Sequence, residues 1–361
     1  MRSRPLRRSL LAAALISTLG ACGATPHGPV RGPVDPVGYT HSADGIARVV
    51  RHASGLEWPG RAAPPPAAGP LVGAIAPHDD YAYAERVAVH AYPGLTARDV
   101  ILIGVAHKAR QFPEVEGQLV FDSYAAWRGP YGPIAPSPLR EALRARLGAD
   151  AIVHDRLQAV EHSVEGLVPL LQHFRRDVRI VSILVPYMSF ERLSALADRT
   201  GAALAAELRA RGLALGPDVA ILVSADLVHY GDEGWGPKPH APFGVDRGAY
   251  KRAVARDRAL IRDHLEGPID RARLGGLFRA LVEEDPHEYR ITWCGRFSIP
   301  FGVALMGATA AALGRPAPAG TLRRYGTTLD PGRSDPGVPG LGVTAPASLR
   351  HWVGFAAIAY R

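Results

Sequence analysis

Leu71-Val-Gly-Ala-Ile-Ala-Pro-His78 decides how this chain reads, because two other stretches repeat its form. Val100-Ile-Leu-Ile-Gly-Val-Ala-His107 and Val219-Ala-Ile-Leu-Val-Ser-Ala-Asp-Leu-Val-His229 are also short apolar runs that deliver a histidine just past their ends. Runs rich in Val, Ile and Leu, bounded by Gly or Pro, read as buried strands. In open α/β sheets, ligands gather outside the carboxyl ends of the strands. Imidazole is the commonest protein metal ligand and the usual acid/base near neutral pH. Three imidazoles presented there point to a metal or acid/base site.

Outward from these runs, strands and helices alternate. The patterns predict strands over 71–76, 100–105, 151–153, 178–185, 219–225 and 352–360. They predict helices over 84–92, 137–147, 163–175, 190–211, 246–264, 271–283 and 300–313. Leu193, Leu196, Ala197, Ala203, Leu204 and Leu208 recur at helical spacing and form one buried face. Alternation of this kind predicts an α/β fold: one domain over 70–361, with a mostly parallel central sheet and helices on both faces. A Pro- and Gly-rich stretch over 330–349 reads as a long loop before the last strand, either a functional lid or a flexible excursion.

The chain has 361 residues, 47% hydrophobic and 21% charged, an ordinary balance with ample material for a core. Its formal charge is +8, but Arg2, Arg4, Arg7 and Arg8 supply four of those charges, leaving +4 beyond that segment. The body holds no dense Lys/Arg cluster with interleaved aromatics, which argues against nucleic acid as a partner. The basic start and the apolar stretch Leu10–Leu19 read as a signal peptide over 1–21, too short to span a bilayer as a mature helix. The stretch ends in Leu19-Gly20-Ala21-Cys22, which resembles the bacterial lipobox. The expectation is an exported protein, lipid-anchored through Cys22 on the periplasmic side of the cell envelope. Residues 22–69 then read as a Pro/Gly-rich tether with a short helix over Ser42–Ser54. Only two cysteines are present, so a disulfide framework is excluded and Cys294 is left unpaired.

Five short segments carry the candidate chemistry. His78 leaves its strand through Pro77 and precedes Asp79, Asp80 and Tyr81. His107 repeats the arrangement, followed by Lys108, whose charge suits an anionic substrate. If the two strands are adjacent, their ends lie about 5 Å apart, close enough to share an ion. Glu161-His162-Ser163-x-Glu165 opens a helix, with His162 read as a hydrogen-bonding support to the site. In Ser224-Ala-Asp226-Leu-Val-His229, Asp226 is placed to orient His229 as a general acid or base. The chain contains no Gly-x-Ser-x-Gly elbow, so Ser224 is a poor candidate for a hydrolase nucleophile. Trp293-Cys294-Gly295-Arg296 places a thiol beside a guanidinium, which predicts a lowered thiol pKa. Two histidines and a thiolate with an open position suit Fe(II), Zn or Cu.

Ala76-Pro-His-x-x-Tyr81, Ile103-Gly-x-x-His107, Glu161-His-Ser-Val-Glu165, Ser224-x-Asp-x-x-His-Tyr-Gly231, Cys294-Gly295 and Val353-Gly-x-Ala-Ala-x-Ala-Tyr360 occur in order. Together they resemble the Memo family, called AmmeMemoRadiSam system protein B in bacteria and archaea, over roughly residues 70–361. The resemblance implies a fold like that of class III extradiol (LigB-type) dioxygenases, which are non-haem Fe(II) enzymes. It implies one transition metal ion, iron(II) first with copper and zinc as alternatives, on His78, His107 and Cys294. It also implies catalytic roles for Asp226 and His229, and association with AMMECR-like and radical SAM proteins. An address outside the inner membrane would separate this chain from those cytosolic partners. The chain departs from the family pattern at Asp79 and Asp80, where Ala-Gly is usual, and at Lys108, where a second histidine is usual. The carboxylates would tighten metal binding, add an oxygen ligand or mark altered chemistry.

Three functions are consistent with this reading. The first is dioxygenase-like redox or oxygen chemistry on a small molecule. The second is non-catalytic metal binding or an adaptor role. The third is zinc-dependent hydrolysis through a zinc-bound water.

Overall fold

The computed structural model describes residues 28–235 and 238–361. The predicted signal segment and Cys22 lie outside the described residues. In chain order the strands are β1 (Val30–Arg31), β2 (Gly73–Ala76), β3 (Asp99–Val105), β4 (Leu119–Phe121), β5 (Ala126–Gly129), β6 (Gly132–Ile134), β7 (Ala151–Val153), β8 (Arg179–Val185), β9 (Val219–Ser224), β10 (His229–Gly231), β11 (Gly267–Pro268), β12 (Ala319–Thr327) and β13 (His351–Tyr360). The helices are α1 (Ala43–Glu57), α2 (Tyr81–Ala88), α3 (Leu139–Leu147), α4 (Asp155–Val160), α5 (Val168–Phe174), α6 (Phe190–Arg211), α7 (Arg247–His264), α8 (Arg271–Leu281) and α9 (Ser298–Ala312).

One sheet organises the molecule, in the order β11-β12-β13-β2-β9-β3-β8-β4-β7, with β10 paired to β13. The apolar runs that opened the sequence reading are its centre. β2, β9, β3 and β8 run parallel in continuous register, and all residues of β2, β3 and β9 are buried. A strand apolar on both faces needs cover on both. Successive side chains point to opposite faces, and Ile103 and Gly104 show what each face meets. Val223 and Ile103 are the nearest neighbours of Gly302 on α9, whereas Gly104 faces Val164 and Ser163. Helix α9 is apolar all round and is sandwiched between the sheet and α6. The α/β architecture therefore stands. The flanks are antiparallel, however, at β13 against β2 and at β4 against β8, so the sheet is mixed outside its parallel centre.

Local chemistry sets the helix ends. Helix α6 starts at Ser189, whose Oγ accepts from Arg192 N at 3.2 Å, and stops at Gly212 in the left-handed region (φ 64°). Asp246 and Asp270 cap α7 and α8 in the same way, accepting from Ala249 N at 2.7 Å and Arg273 N at 2.8 Å. Strand β12 escapes the periodic reading because the register shifts between Leu322 and Arg324. That irregularity breaks the period-2 alternation on which strand recognition depends. Among the described residues, no helix is long and apolar enough to cross a membrane.

Two expectations change. The short helix expected over Ser42–Ser54 is present as α1 (Ala43–Glu57), but residues 30–57 are not a tether. β1 pairs with β5, Arg31 forms a buried ion pair with Glu165, and α1 packs on α2 and α5. Nor are the strands before His78 and His107 adjacent, since β9 lies between them. The 330–349 segment is a pinned loop: Ser334 N bonds Ala82 O (2.7 Å), Gly342 N bonds Val37 O (2.9 Å) and Thr344 N bonds Asp80 Oδ2 (2.6 Å).

Gly104 is where the sheet meets the turn carrying Glu161 and His162. A Cβ there would lie 2.6 Å from Val164 Cγ2 and 2.7 Å from Leu184 Cδ2. Gly104→Ala is expected to destabilise the fold by about 1–3 kcal/mol through overpacking, read as a lower urea midpoint with an unchanged m-value.

Candidate metal and acid/base site

The parallel register brings β2, β9 and β3 to a common edge, and the site is built on the residues just past the end of each strand. His78 comes two residues after β2 and His107 two residues after β3, while Ser224 ends β9 between them. The imidazoles lean over the end of β9, so the His78 and His107 ring centroids are 5.3 Å apart despite the intervening strand.

Hydrogen bonds decide which nitrogen each ring presents. Ser224 Oγ donates to Ser163 O at 2.6 Å, so its own proton is used. It must then accept from His78 Nδ1–H at 2.8 Å, leaving the lone pair on His78 Nε2. His107 Nδ1 meets Glu161 Oε1 at 2.8 Å, which likewise leaves Nε2 of His107 bare. Glu161 also accepts from the backbone N–H of His107, His162 and Ser163 at 2.7, 2.9 and 3.0 Å. Burial opposes a charged Glu161. The attraction of His107 and these hydrogen bonds outweigh it and bring the carboxyl down to about 2. Carboxylate–histidine pairs of this kind orient metal-binding rings and raise their basicity.

His162 belongs with the rings and not behind them. Its imidazole stacks on His107 at 4.7 Å and lies 5.6 Å from His78. His78, His107 and His162 offer ligand atoms within 4.8 Å of one another, and so do His78, Asp226 and Cys294. The two groups meet at His78. Its Nε2 is 3.6 Å from Cys294 Sγ and 3.3 Å from Asp226 Oδ2. Either group has the ligand chemistry to hold a transition metal ion.

Asp226 does not orient His229. Its carboxylate accepts from His78 N at 3.0 Å, and its backbone N–H donates to Cys294 Sγ at 3.1 Å. A three-residue separation invited a turn that would fold one onto the other. Instead His229 continues into β10, paired with β13. Its Nε2 is buried with no hydrogen-bond partner among the described residues, and its ring packs against Trp235 at 4.9 Å. Burial, then the neighbouring His107 and Arg296, lower its pKa to about 3, so the imidazole is neutral at physiological pH.

The thiol expectation also reverses. Burial and the Asp226 carboxylate push Cys294 well above the ordinary thiol value, and Arg296 offsets this only in part. A bound cation is what would favour the thiolate here. The position of Cys294 is firm, because Trp293 Nε1 donates to the buried Asp257 at 2.9 Å and Val228 bridges to Trp293.

A cavity of about 640 Å³ opens above the rings. Asp79, Lys108, Asp226 and His229 line it, together with Tyr39, Tyr83, Trp235 and the Thr344–Ala347 side of the long loop. Burial raises the Asp79 carboxyl, and Asp226 and Asp80 raise it further. Asp80 serves the fold: its Oδ2 holds Thr344 N and Oγ1 at 2.6 and 3.0 Å. Tyr81 points away and donates to Gly166 O at 2.8 Å. Arg296 lies behind the rings, beside Tyr187 and Phe297. Val34–Val37, Trp235 and His351 line the cavity although no motif marked them. Their signals were absent because they reach the site from segments distant in sequence. Trp235 and His351 stack at 3.9 Å to form one wall.

Fold and site define an α/β protein with a histidine-rich crevice at the carboxyl edge of a parallel sheet. The family model of Memo-like proteins matches residues 58–315, and the chain belongs to that family. It is similar to a MEMO1 family protein of Methanosarcina barkeri, 31% identical over 162 residues, covering 44% of this chain and 55% of that protein. A Methanothermobacter thermautotrophicus member is 29% identical over 165 residues, 44% of this chain and 54% of its own. A Sulfolobus acidocaldarius member is 24% identical over 227 residues, 61% of this chain and 66% of its own. The chain thus spans about half the length of the first two relatives and about two thirds of the third.

Two buried histidines contribute an acid-sensitive part to the stability of the metal-free protein. His78 and His229 are held neutral, with pKa values below the ordinary 6.5. Their contribution to stability is complete above pH 6.5 and is lost as pH falls below it. The expected decline reaches about 1.4 kcal/mol per pH unit for each fully differing proton. Glu161 acts lower: its contribution is complete above 4.5 and is lost as pH falls toward about 2. Urea unfolding from pH 7.5 to 4 measures the slope, which should be shallower in His229→Gln. Asp226 and Asp257, both raised to about 7 by burial, act in the opposite sense over the same window. The difference between wild type and His229→Gln is therefore the test, and an equal slope in the two would contradict the assignment.

Proposed function

We propose that this chain is a metal-dependent protein of the Memo family whose cavity takes a small molecule for redox or oxygen chemistry. The observation that carries the reading is the pair of fixed imidazoles, each with Nδ1 engaged, with His78 Nε2 turned to a buried thiol and the Asp226 carboxyl. We assign the ion to His78, His107 and Cys294, although the ligand atoms gather as two sets sharing His78, one with His107 and His162 and the other with Asp226 and Cys294. A bound transition metal would supply Lewis acidity and, if iron or copper, one-electron chemistry.

The protein's own residues supply the rest. Lys108 forms no ion pair among the described residues and lines the cavity, so it attracts an anionic group of the substrate. His229, neutral with Nε2 free, accepts or returns a proton on the cavity side. Trp235, Tyr39 and the pinned loop exclude water around the reacting group. The volume suits a small organic molecule.

Metal content after anaerobic purification tests this reading. One equivalent per wild-type chain is expected, with at least roughly a tenfold loss of affinity in His78→Ala, a ligand common to both donor groups. Cys294→Ser against His162→Ala separates the groups: the cysteine variant should lose the metal and the histidine variant should largely retain it. Wild-type protein without metal, or full retention in His78→Ala, would overturn the proposal. Oxygen uptake with iron or copper supports redox chemistry. Air-stable activity with zinc alone would select hydrolysis, and metal binding without turnover would select metal handling.

The Leu19–Cys22 sequence carries a second, independent proposal: export and lipidation at Cys22, placing the cavity at the cell envelope. Mass spectrometry of the mature protein should find a diacylglyceryl-modified Cys22 as its first residue. An intact Met1 would refute it.

A further inference from the structure

Behind the histidine cluster lies a second, smaller crevice of about 80 Å³. Cys294, His107, Arg296, Tyr187 and Phe297 form its working surfaces. Arg296 is its only charged side chain that is never neutral. The Nε of Arg296 is buried without a hydrogen-bond partner among the described residues, and one Nη donates to Trp293 O at 3.1 Å. Three rings surround the guanidinium, with Tyr289, Phe297 and Tyr187 at 5.4, 5.5 and 5.9 Å from its carbon. No carboxylate pairs with it among the described residues. Glu116, on the rim of the adjoining cleft, pairs with His287 at 3.2 Å, and Glu288 pairs with Lys238. A second arginine, Arg110, lies 5.5 Å over the Tyr187 ring and borders the adjoining outer cleft.

Arg296 is half-buried, and its buried Nε–H without an acceptor or acid partner favours an anion beside it. Cation–π contacts offset part of the desolvation cost, but they leave that donor unfilled. Arg296 and Cys294 both line this space. Its volume admits two or three water-sized groups, which is the size of a carboxylate head. A planar guanidinium matches a carboxylate through two parallel hydrogen bonds.

We propose that this crevice is a carboxylate-binding site, with Arg296 as the binding residue and Tyr187 and Phe297 as its walls. It seats a small monocarboxylate against Cys294, on the side of the rings away from the main cavity. The proposal does not rest on the metal reading, and its test uses chelator-treated, full-length protein.

Iodoacetate and iodoacetamide have the same reactive carbon and leaving group, and only the first carries a carboxylate. In both cases the Cys294 sulfur forms a bond to that carbon, iodide leaves, and the thiol proton passes to solvent. Peptide mass mapping reads the modification at Cys294 specifically. In wild type, the ratio of the iodoacetate rate to the iodoacetamide rate should be larger at Cys294 than at the thiol of glutathione. Acetate should slow the iodoacetate reaction in a saturable way. Arg296→Met keeps the apolar stem and should lower the rate ratio by roughly tenfold, the loss of one charge-assisted bond pair. Arg296→Lys, which keeps the charge but not the fork, should fall between. If Arg296→Met fails to fold, saturable acetate protection of Cys294 in wild type still decides the matter. A wild-type rate ratio equal to that of glutathione, with no protection by acetate, would overturn the proposal. So would an unchanged ratio in folded Arg296→Met.

Discussion

The carboxylate of Glu161 is the contact on which the site depends. It takes four N–H groups at once: the backbone of His107, His162 and Ser163, and the His107 ring. Those bonds join the end of β3 to the turn after α4, and they determine which nitrogen of His107 is exposed. The same turn supplies Ser163 O, which engages the Ser224 hydroxyl and so determines the exposed nitrogen of His78. Two imidazoles on non-adjacent strands are thereby oriented by one short segment. Four residues on, Glu165 accepts from Val34 N and Asp35 N and pairs with Arg31, which seats the amino-terminal segment as a wall of the cavity.

Burial sets the charge state of this region. His78 and His229 are buried and neutral, the Cys294 thiol is held protonated, and the Asp226 carboxyl is raised by burial. Each shift has desolvation as its largest cause. A cation among these groups would reverse the cost for Cys294 and Asp226 together, since both are acids that face the same imidazole nitrogen. Glu161 is the exception: it stays ionised because its hydrogen bonds are all donated to the charged form. The site therefore combines one permanent negative charge behind the rings with neutral donors in front of them.

The chemistry-bearing residues were legible in the sequence because each sits within a few residues of a strong apolar run or a compact motif. His78, His107, His229 and Cys294 were found in this way, and the Glu161–His162 pair as a motif. Their mutual geometry was not legible. Asp226 and His229 look coupled at a spacing of three, yet one turns toward His78 and the other into β10. Arg296 beside Cys294 suggests an activated thiol, yet burial outweighs the neighbouring charge. His162 reads as a support, yet it stacks on His107. Trp235, His351 and the 34–37 segment carry no signal at all, because loop residues join a site through contacts that local patterning does not encode.

The sequence by itself determined the buried parallel centre of the sheet and the edge at which histidines collect. Continuous Val/Ile/Leu runs can be satisfied only by strands covered on both faces, and helical periodicity supplies the cover. The tertiary structure alone decided that β9 separates the two histidine strands and that Arg31 and α1 belong to the domain. It also decided that His78 stands at the junction of two ligand groups. These are outcomes of strand order, of long-range hydrogen bonds such as Ser163–Ser224–His78, and of desolvation. All three depend on which distant segments meet, and no local pattern of residues records that.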